Sequence, residues 1–339
     1  MDMRRSFVTV LFILLPLLIL AEVTMPFFKE ESALKKMFRL SGYGQISYTY
    51  SDHTYPNNTF ELRRAIVTAR GDLGYGFNYK FTYALAATAR ILDCYLDWNS
   101  LSEFSLRVGQ SKVPLTLENQ IFPSTLETIY YPLVCQSLVA LGASDVIGSN
   151  GGRDLGILAY GKLFPLNGER LVEYSLGIFN GSGINVKDKD NHKDISGGIY
   201  LCPIKGMKIG GSFYIGKATY ILSGDTLSGT YERNRWSVGA SFKSDKFTVR
   251  GEYVNGTDFN NSKYGAYLFG AIRLFKKHWE MLGEIDYYNK NKNNYTWQYT
   301  VGSNVYLNER NRLQLNYIRS ADSKVEKSNC FVAQIQVGF

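Results

Sequence analysis

From Ser328 to Phe339 the chain reads SNCFVAQIQVGF, and apolar and polar residues take turns. Phe331, Ala333, Ile335, Val337 and Phe339 share one parity, while Cys330, Gln334, Gln336 and Gly338 share the other, with Val332 out of place. A strand turns successive side chains to opposite faces, so this segment has one apolar and one mainly polar face. It ends on an aromatic residue. An outer-membrane barrel strand needs this arrangement, apolar toward lipid and polar toward the lumen.

The rhythm recurs upstream. Trp297, Tyr299, Val301 and Val305 alternate with Gln298, Thr300, Gly302 and Asn304, and Leu313, Leu315 and Tyr317 with Arg312, Gln314 and Asn316. Trp279, Met281, Ile285 and Tyr287 oppose Glu280, Glu284 and Asp286. In all, sixteen strand-like segments are predicted: 38–51, 58–73, 76–88, 91–99, 103–112, 153–163, 170–180, 193–202, 207–216, 230–243, 246–256, 263–275, 278–289, 295–307, 309–320 and 328–339. Most reach the roughly 9–11 residues that a tilted strand needs to cross a bilayer. Connections after odd strands tend to be long and polar (SDHTYPNN, NGSGINVKDKDNHKD, TYILSGDTLSG, TDFNNSK, KNKNN, ADSKVEK), and those after even strands short (LGYG, PIKG, KSDK, KK, NE). Long outer loops and short periplasmic turns belong to outer-membrane barrels. The expected fold is therefore all-β, a transmembrane antiparallel β-barrel of about 16 strands.

Residues 113–152 break the rhythm. This insert contains Pro123 and Pro132 and a helix-compatible run from Leu133 to Leu141. Loops of that length in a compact protein are usually functional or disordered, and its apolar content argues against disorder. As the third outer loop, it is expected to fold back as a constriction, with a plug as the alternative.

The N-terminus sets the compartment. Arg4 and Arg5 precede the apolar stretch 6–20, and residues 1–21 read as a signal peptide. Residues 22–37 are expected to be a short periplasmic segment and 38–339 the barrel domain. With 25 Tyr and 20 Phe against 8 Pro, the composition favours strands. The formal charge of +8 suits anionic solutes or lipid. Scattered basic residues on an exported chain do not suggest nucleic acid. Cys94, Cys135, Cys202 and Cys330 show no zinc-site spacing, and neither metal nor cofactor is expected. His53, His192 and His278 fall in predicted loops or turns, and no GxSxG elbow is present, so an enzyme is not expected.

Five segments, ELRRAIVTARGDLG (61–74), RVGQSKVPLTLENQ (107–120), GRDLGILAYG (152–161), YSLGIFNGSGIN (174–185) and VRGEYVNG (249–256), together resemble the family of phosphate-selective porins O and P. Their order and spacing agree across 38–339. The resemblance implies a sixteen-stranded barrel, commonly a homotrimer, passing anions through a basic lumen. Basic residues with lumen parity at matching positions are Arg64, Arg70, Lys80, Arg107, Lys112 and Arg250, with Arg153 where the insert rejoins the wall. Rings of Lys or Arg attract anions. The alternative is that these residues pair with lumenal acids, Asp93, Asp97, Glu173, Glu252, Glu280, Glu284 and Asp286, and merely hold the wall together.

One departure from the family stands out. Between Val113 and Gly152 there is no Lys or Arg, only the acids Glu118, Glu127 and Asp145. Acids facing a basic wall would set a transverse field and make a channel selective mainly by size. The expected function is passive diffusion of small polar solutes across the outer membrane. Anion or phosphate preference is the narrower option, and a structural or adhesive barrel with a plugged lumen is the alternative.

Overall fold

A computed structural model describes residues 36–86, 89–139, 151–166, 168–188, 191–221, 228–275, 278–291 and 293–339. The chain divides into two compact units, 1–39 and 40–339. Of the first, only residues 36–39 are described, so the expected signal peptide and nearly all of 22–37 lie outside the described residues.

Among the described residues there are sixteen strands. They are β1 (Arg39–Ser51), β2 (Asn58–Gly74), β3 (Phe77–Ala84), β4 (Arg90–Trp98), β5 (Ser105–Lys112), β6 (Arg153–Leu166), β7 (Glu169–Phe179) and β8 (Asp194–Leu201). The series continues with β9 (Met207–Ile221), β10 (Ser228–Lys243), β11 (Phe247–Asp258), β12 (Asn261–Leu274), β13 (Trp279–Asn291), β14 (Asn294–Tyr306), β15 (Arg312–Asp322) and β16 (Ser328–Gly338). Sequence neighbours are sheet neighbours, and β1 pairs antiparallel with β16, from Tyr43 opposite Gly338 to Ser51 opposite Cys330. The sheet is thus a closed barrel. Closure leaves no unpaired edge, the condition for a sheet to sit in hydrocarbon.

The faces follow the sequence. On β15, Arg312, Gln314 and Asn316 are buried in the interior while Leu313, Leu315 and Tyr317 lie exposed outside. On β13, Glu280, Glu284 and Asp286 point in, and Met281 and Ile285 point out. A run of outer aromatic rings crosses β10 to β14 toward the loop end. Trp236 lies 5.4 Å from Tyr253, Tyr264 6.2 Å from Tyr287, and Tyr287 4.8 Å from Trp297. Near the turn end, Phe275 and Trp279 stack at 5.5 Å. These two levels are the aromatic girdles of a lipid-embedded barrel.

Several connections are shorter than expected. TDFNNSK was predicted as a loop, yet Thr257 pairs with Ser262 and Asp258 with Asn261, leaving a turn of Phe259 and Asn260. Likewise β9 runs to Ile221 and β13 to Asn291. In TDFNNSK the inward Asp258 is buried and bonded to Arg235, while Asn261 and Ser262 are exposed, so a polar segment forms strand ends rather than a loop. β6 also extends past 163, to Leu166. After Leu166 only 167–168 separate it from β7.

Candidate functional site

The insert enters the barrel. Its backbone lacks a strand ladder, and buried N–H and C=O groups need partners; inward polar side chains of the wall supply them. Ser212 on β9 accepts from Thr116 N at 2.8 Å. Glu252 on β11 accepts from Leu117 N at 2.7 Å and Glu118 N at 3.1 Å, at the start of a 3-10 turn, Glu118–Gln120. Asn304 on β14 and Gln314 on β15 donate to Glu127 O at 2.8 and 3.0 Å. Asn316 accepts from Ile129 N at 2.7 Å, and Asp286 from Leu133 N at 2.5 Å. Leu133–Leu138 forms a short helix, α1, inside the predicted helical run.

Apolar packing does the rest. Val113, Leu115, Leu126, Val134, Cys135 and Leu138 of the insert form one buried cluster with Leu158, Phe179, Tyr214, Val254, Phe269 and Leu282 of the wall. Ile129 packs with Ile318 and Val332 in a second cluster. This explains the misplaced Val332: it faces inward, fully buried, because the insert covers it. Val254 and Leu282 also share the parity of inward acids. Apolar residues on the lumen face therefore mark where the insert docks. That signal is present in the sequence.

The insert's acids face away from the β2–β4 cations. Arg250 Nε lies 2.5 Å from Glu118 Oε2, and its Nη2 3.3 Å from Glu127 Oε2. Lys243 reaches Glu127 at 3.3 Å, and Tyr267 donates to Glu118 at 2.9 Å. Burial pushes the Glu127 carboxyl up, but the charges of Arg250 and Lys243 outweigh it and hold the group below its ordinary range. Burial also raises the Tyr131 hydroxyl and the Cys135 thiol. All four cysteines are free. Asp145 lies outside the described residues. Glu118 and Glu127 thus do not oppose the basic wall across a gap, as expected from sequence; they fasten the insert to β10–β12.

Among the described residues, two cavities flank the insert. One, of about 870 Å³, runs along β1–β4. Its lining reaches from Ala86, Arg90, Gln136 and Gly151 at the loop end to Tyr43, Arg310 and Phe339 at the turn end. The other, of about 820 Å³, lies under the insert at the turn end, among Lys162, Arg170, Lys205, Lys208 and Lys243. Phe122 and Thr125 line both.

The predicted basic residues divide between these spaces. Arg64, Arg70, Lys80 and Arg153 line the first cavity, and Arg107 and Arg250 the second. Lys112 lines neither: it is buried, donating to Asn119 O at 2.5 Å and Ile121 O at 2.7 Å. It staples the insert's start and is not placed to meet solute. Pairing with acids is common. Arg107 forms a two-point bond to Asp97 at 3.0 and 2.8 Å. Arg153 and Lys80 share Asp93 at 2.7 and 3.2 Å. Arg250 is consumed by the insert. Arg64 donates to Gln45 at 2.9 Å.

Arg63 and Arg90, which also line the first cavity, were missed. Phe60 and Leu62 lie outside, and Ile66 inside. The alternation therefore slips by one residue at Arg63 and Arg64, and both arginines reach inward. A strict period of two assigns only one of such a pair to the lumen.

Residues 38–131 match the model of the family described as phosphate-selective porin O and P. A protein of Aquifex aeolicus (strain VF5), described only as uncharacterized, is 24% identical over 205 residues, 56% of this chain and 45% of that protein. The match thus spans less than half of that relative's length. Among solved structures, OmpT of Vibrio cholerae in its trimer form has a TM-score of 0.64 at 9% identity, covering 89% of this chain and 99% of that one. The outer membrane channel DcaP of Acinetobacter baumannii gives 0.62 at 13% identity, covering 92% and 99%. OmpF of Salmonella typhi gives 0.61 at 9%, covering 89% and 97%. Residues 38–131 therefore carry the sequence features of the phosphate-selective porin O and P family, within a closed barrel that has the fold of outer-membrane porins.

Proposed function

We propose that the protein is an outer-membrane porin for passive diffusion of small polar solutes, with a preference for anions. The observation that carries this reading is the cavity along β1–β4, which has lining residues at both ends of the barrel. Its lining holds Arg63, Arg64, Arg70, Lys80, Arg90, Arg153 and Arg310 against the acids Glu61, Asp93 and Glu309. Cations in that excess favour anions and disfavour cations. With Glu118 and Glu127 bonded elsewhere, the insert narrows this path without offsetting its charge. Residues 1–21 serve export, 22–37 form the periplasmic lead, and the working unit is a homotrimer, as in the trimer form of Vibrio cholerae OmpT.

The apolar cluster inside the lumen favours a second reading, a structural barrel plugged by the insert. Single-channel recording in a KCl gradient separates the two. Open channels with an anion-signed reversal potential, blocked by added phosphate, fit the porin. Folded protein without conductance fits the plug.

A further inference from the structure

The two sides of the β1–β4 cavity differ in kind. The barrel side brings cations, and the insert side brings rings. Arg63 of β2 sits 4.0 Å from the centroid of Tyr130, and Lys80 of β3 sits 4.3 Å from that of Phe122. Both rings come from the insert, and all four residues line the cavity. Phe122 is 41% exposed, a large apolar side chain left uncovered while most of the other described insert residues are buried. Its backbone is fixed: Phe122 O accepts from Thr125 N at 2.9 Å and Leu126 N at 3.0 Å. The ring is thus held in the path by a rigid turn, with Lys112 Nζ also 4.5 Å from its centroid.

A small inorganic anion uses only the cationic side of such a slot. A flat organic anion uses both. Its carboxylate meets the guanidinium of Arg64, while its ring packs, offset or edge-on, against Phe122 and Tyr130.

Building on the anion-preferring reading above, we propose that the β1–β4 path binds planar aromatic carboxylates, the carboxylate on a wall cation and the ring against the open edges of the insert rings Phe122 and Tyr130. The seat of these rings opposite Arg63 and Lys80 is the basis of the assignment.

The test uses the full chain in planar bilayers, with benzoate, acetate and inorganic phosphate titrated in turn against the chloride current. Benzoate is expected to half-block at about a tenfold lower concentration than acetate. The double variant Phe122→Leu, Tyr130→Leu abolishes that ratio and leaves phosphate block unchanged. Phe122→Tyr, which keeps a ring, retains it. Equal potency of benzoate and acetate on the wild type overturns the proposal, and so does a ratio that survives the double variant. A wild type without anion current removes the porin reading itself, a result distinct from either.

Discussion

Arg250 of β11 holds Glu118 of the insert at 2.5 Å, both almost completely buried. The bond joins the barrel wall to a segment 132 residues earlier in the chain. Removing one partner of a buried pair strands the other's charge, at a cost of about 3–5 kcal/mol. Arg250→Gln leaves Glu118 without its guanidinium and Glu127 with Lys243 alone. The expected result is a folded barrel with a loosened insert, seen as a lower unfolding temperature and noisier, larger single-channel steps. A quiet trace of wild-type amplitude would show that the pair does not hold the insert in place.

Asp93 lies between Arg153 and Lys80 and neutralises part of the cationic side of the path. Asp93→Asn releases both cations toward the cavity. Anion-over-cation permeability should rise, by about twofold or more if the two charges act on the permeating ion at close range. Arg64→Ala with Arg70→Ala should move it the other way. Reversal potentials in a KCl gradient read both.

Acid should weaken the insert's hold through Glu127. Its folded-state pKa lies below the ordinary carboxylate value of about 4.3. Its contribution is therefore complete above that value and is lost as pH falls through the lowered folded value. Conductance fluctuations should grow as the medium is acidified below about pH 4. Glu127→Gln should already fluctuate at neutral pH and change less on acidification. Identical pH profiles for the two proteins would remove Glu127 from the latch.

Deleting residues 120–145 removes Phe122, Glu127 and α1 together. The inward polar residues that hold the insert then meet water, which costs a barrel wall little. Conductance should increase several-fold, since the cavities on either side of the insert merge into one lumen. A folded deletion variant of unchanged conductance would deny the insert any role in setting pore size.

All sixteen strands were legible because a barrel wall has one rule, lipid on one side and water or insert on the other, and period two expresses it directly. Strand ends were less so. Around Phe259 the polar residues of TDFNNSK form the ends of a hairpin, with Asp258 bonded to Arg235 and Lys263 on the inner side, and a polar strand reads like a loop. Arg63 was hidden by a one-residue slip in the alternation. The direction of Glu118 and Glu127 was hidden for a different reason: the insert's course depends on which wall it packs against. Inward apolar residues such as Val254, Leu282, Phe269, Ile318 and Val332 record that choice, and each looks like an irregularity until the insert is placed over it.

The insert also bears on the order in which the molecule can be completed. Apart from Gln45 and the flanking Lys112 and Arg153, the wall side chains that bond its backbone come later in the chain, from Ser212, 96 residues after Thr116, to Gln336, 212 residues after Ser124. Contacts so distant in sequence form late, because the intervening chain must be ordered first. The insert waits with its apolar side chains uncovered until β9 to β16 are in place. Sealing of β1 against β16 and seating of the insert are therefore one terminal event, and the interior cannot be finished strand by strand.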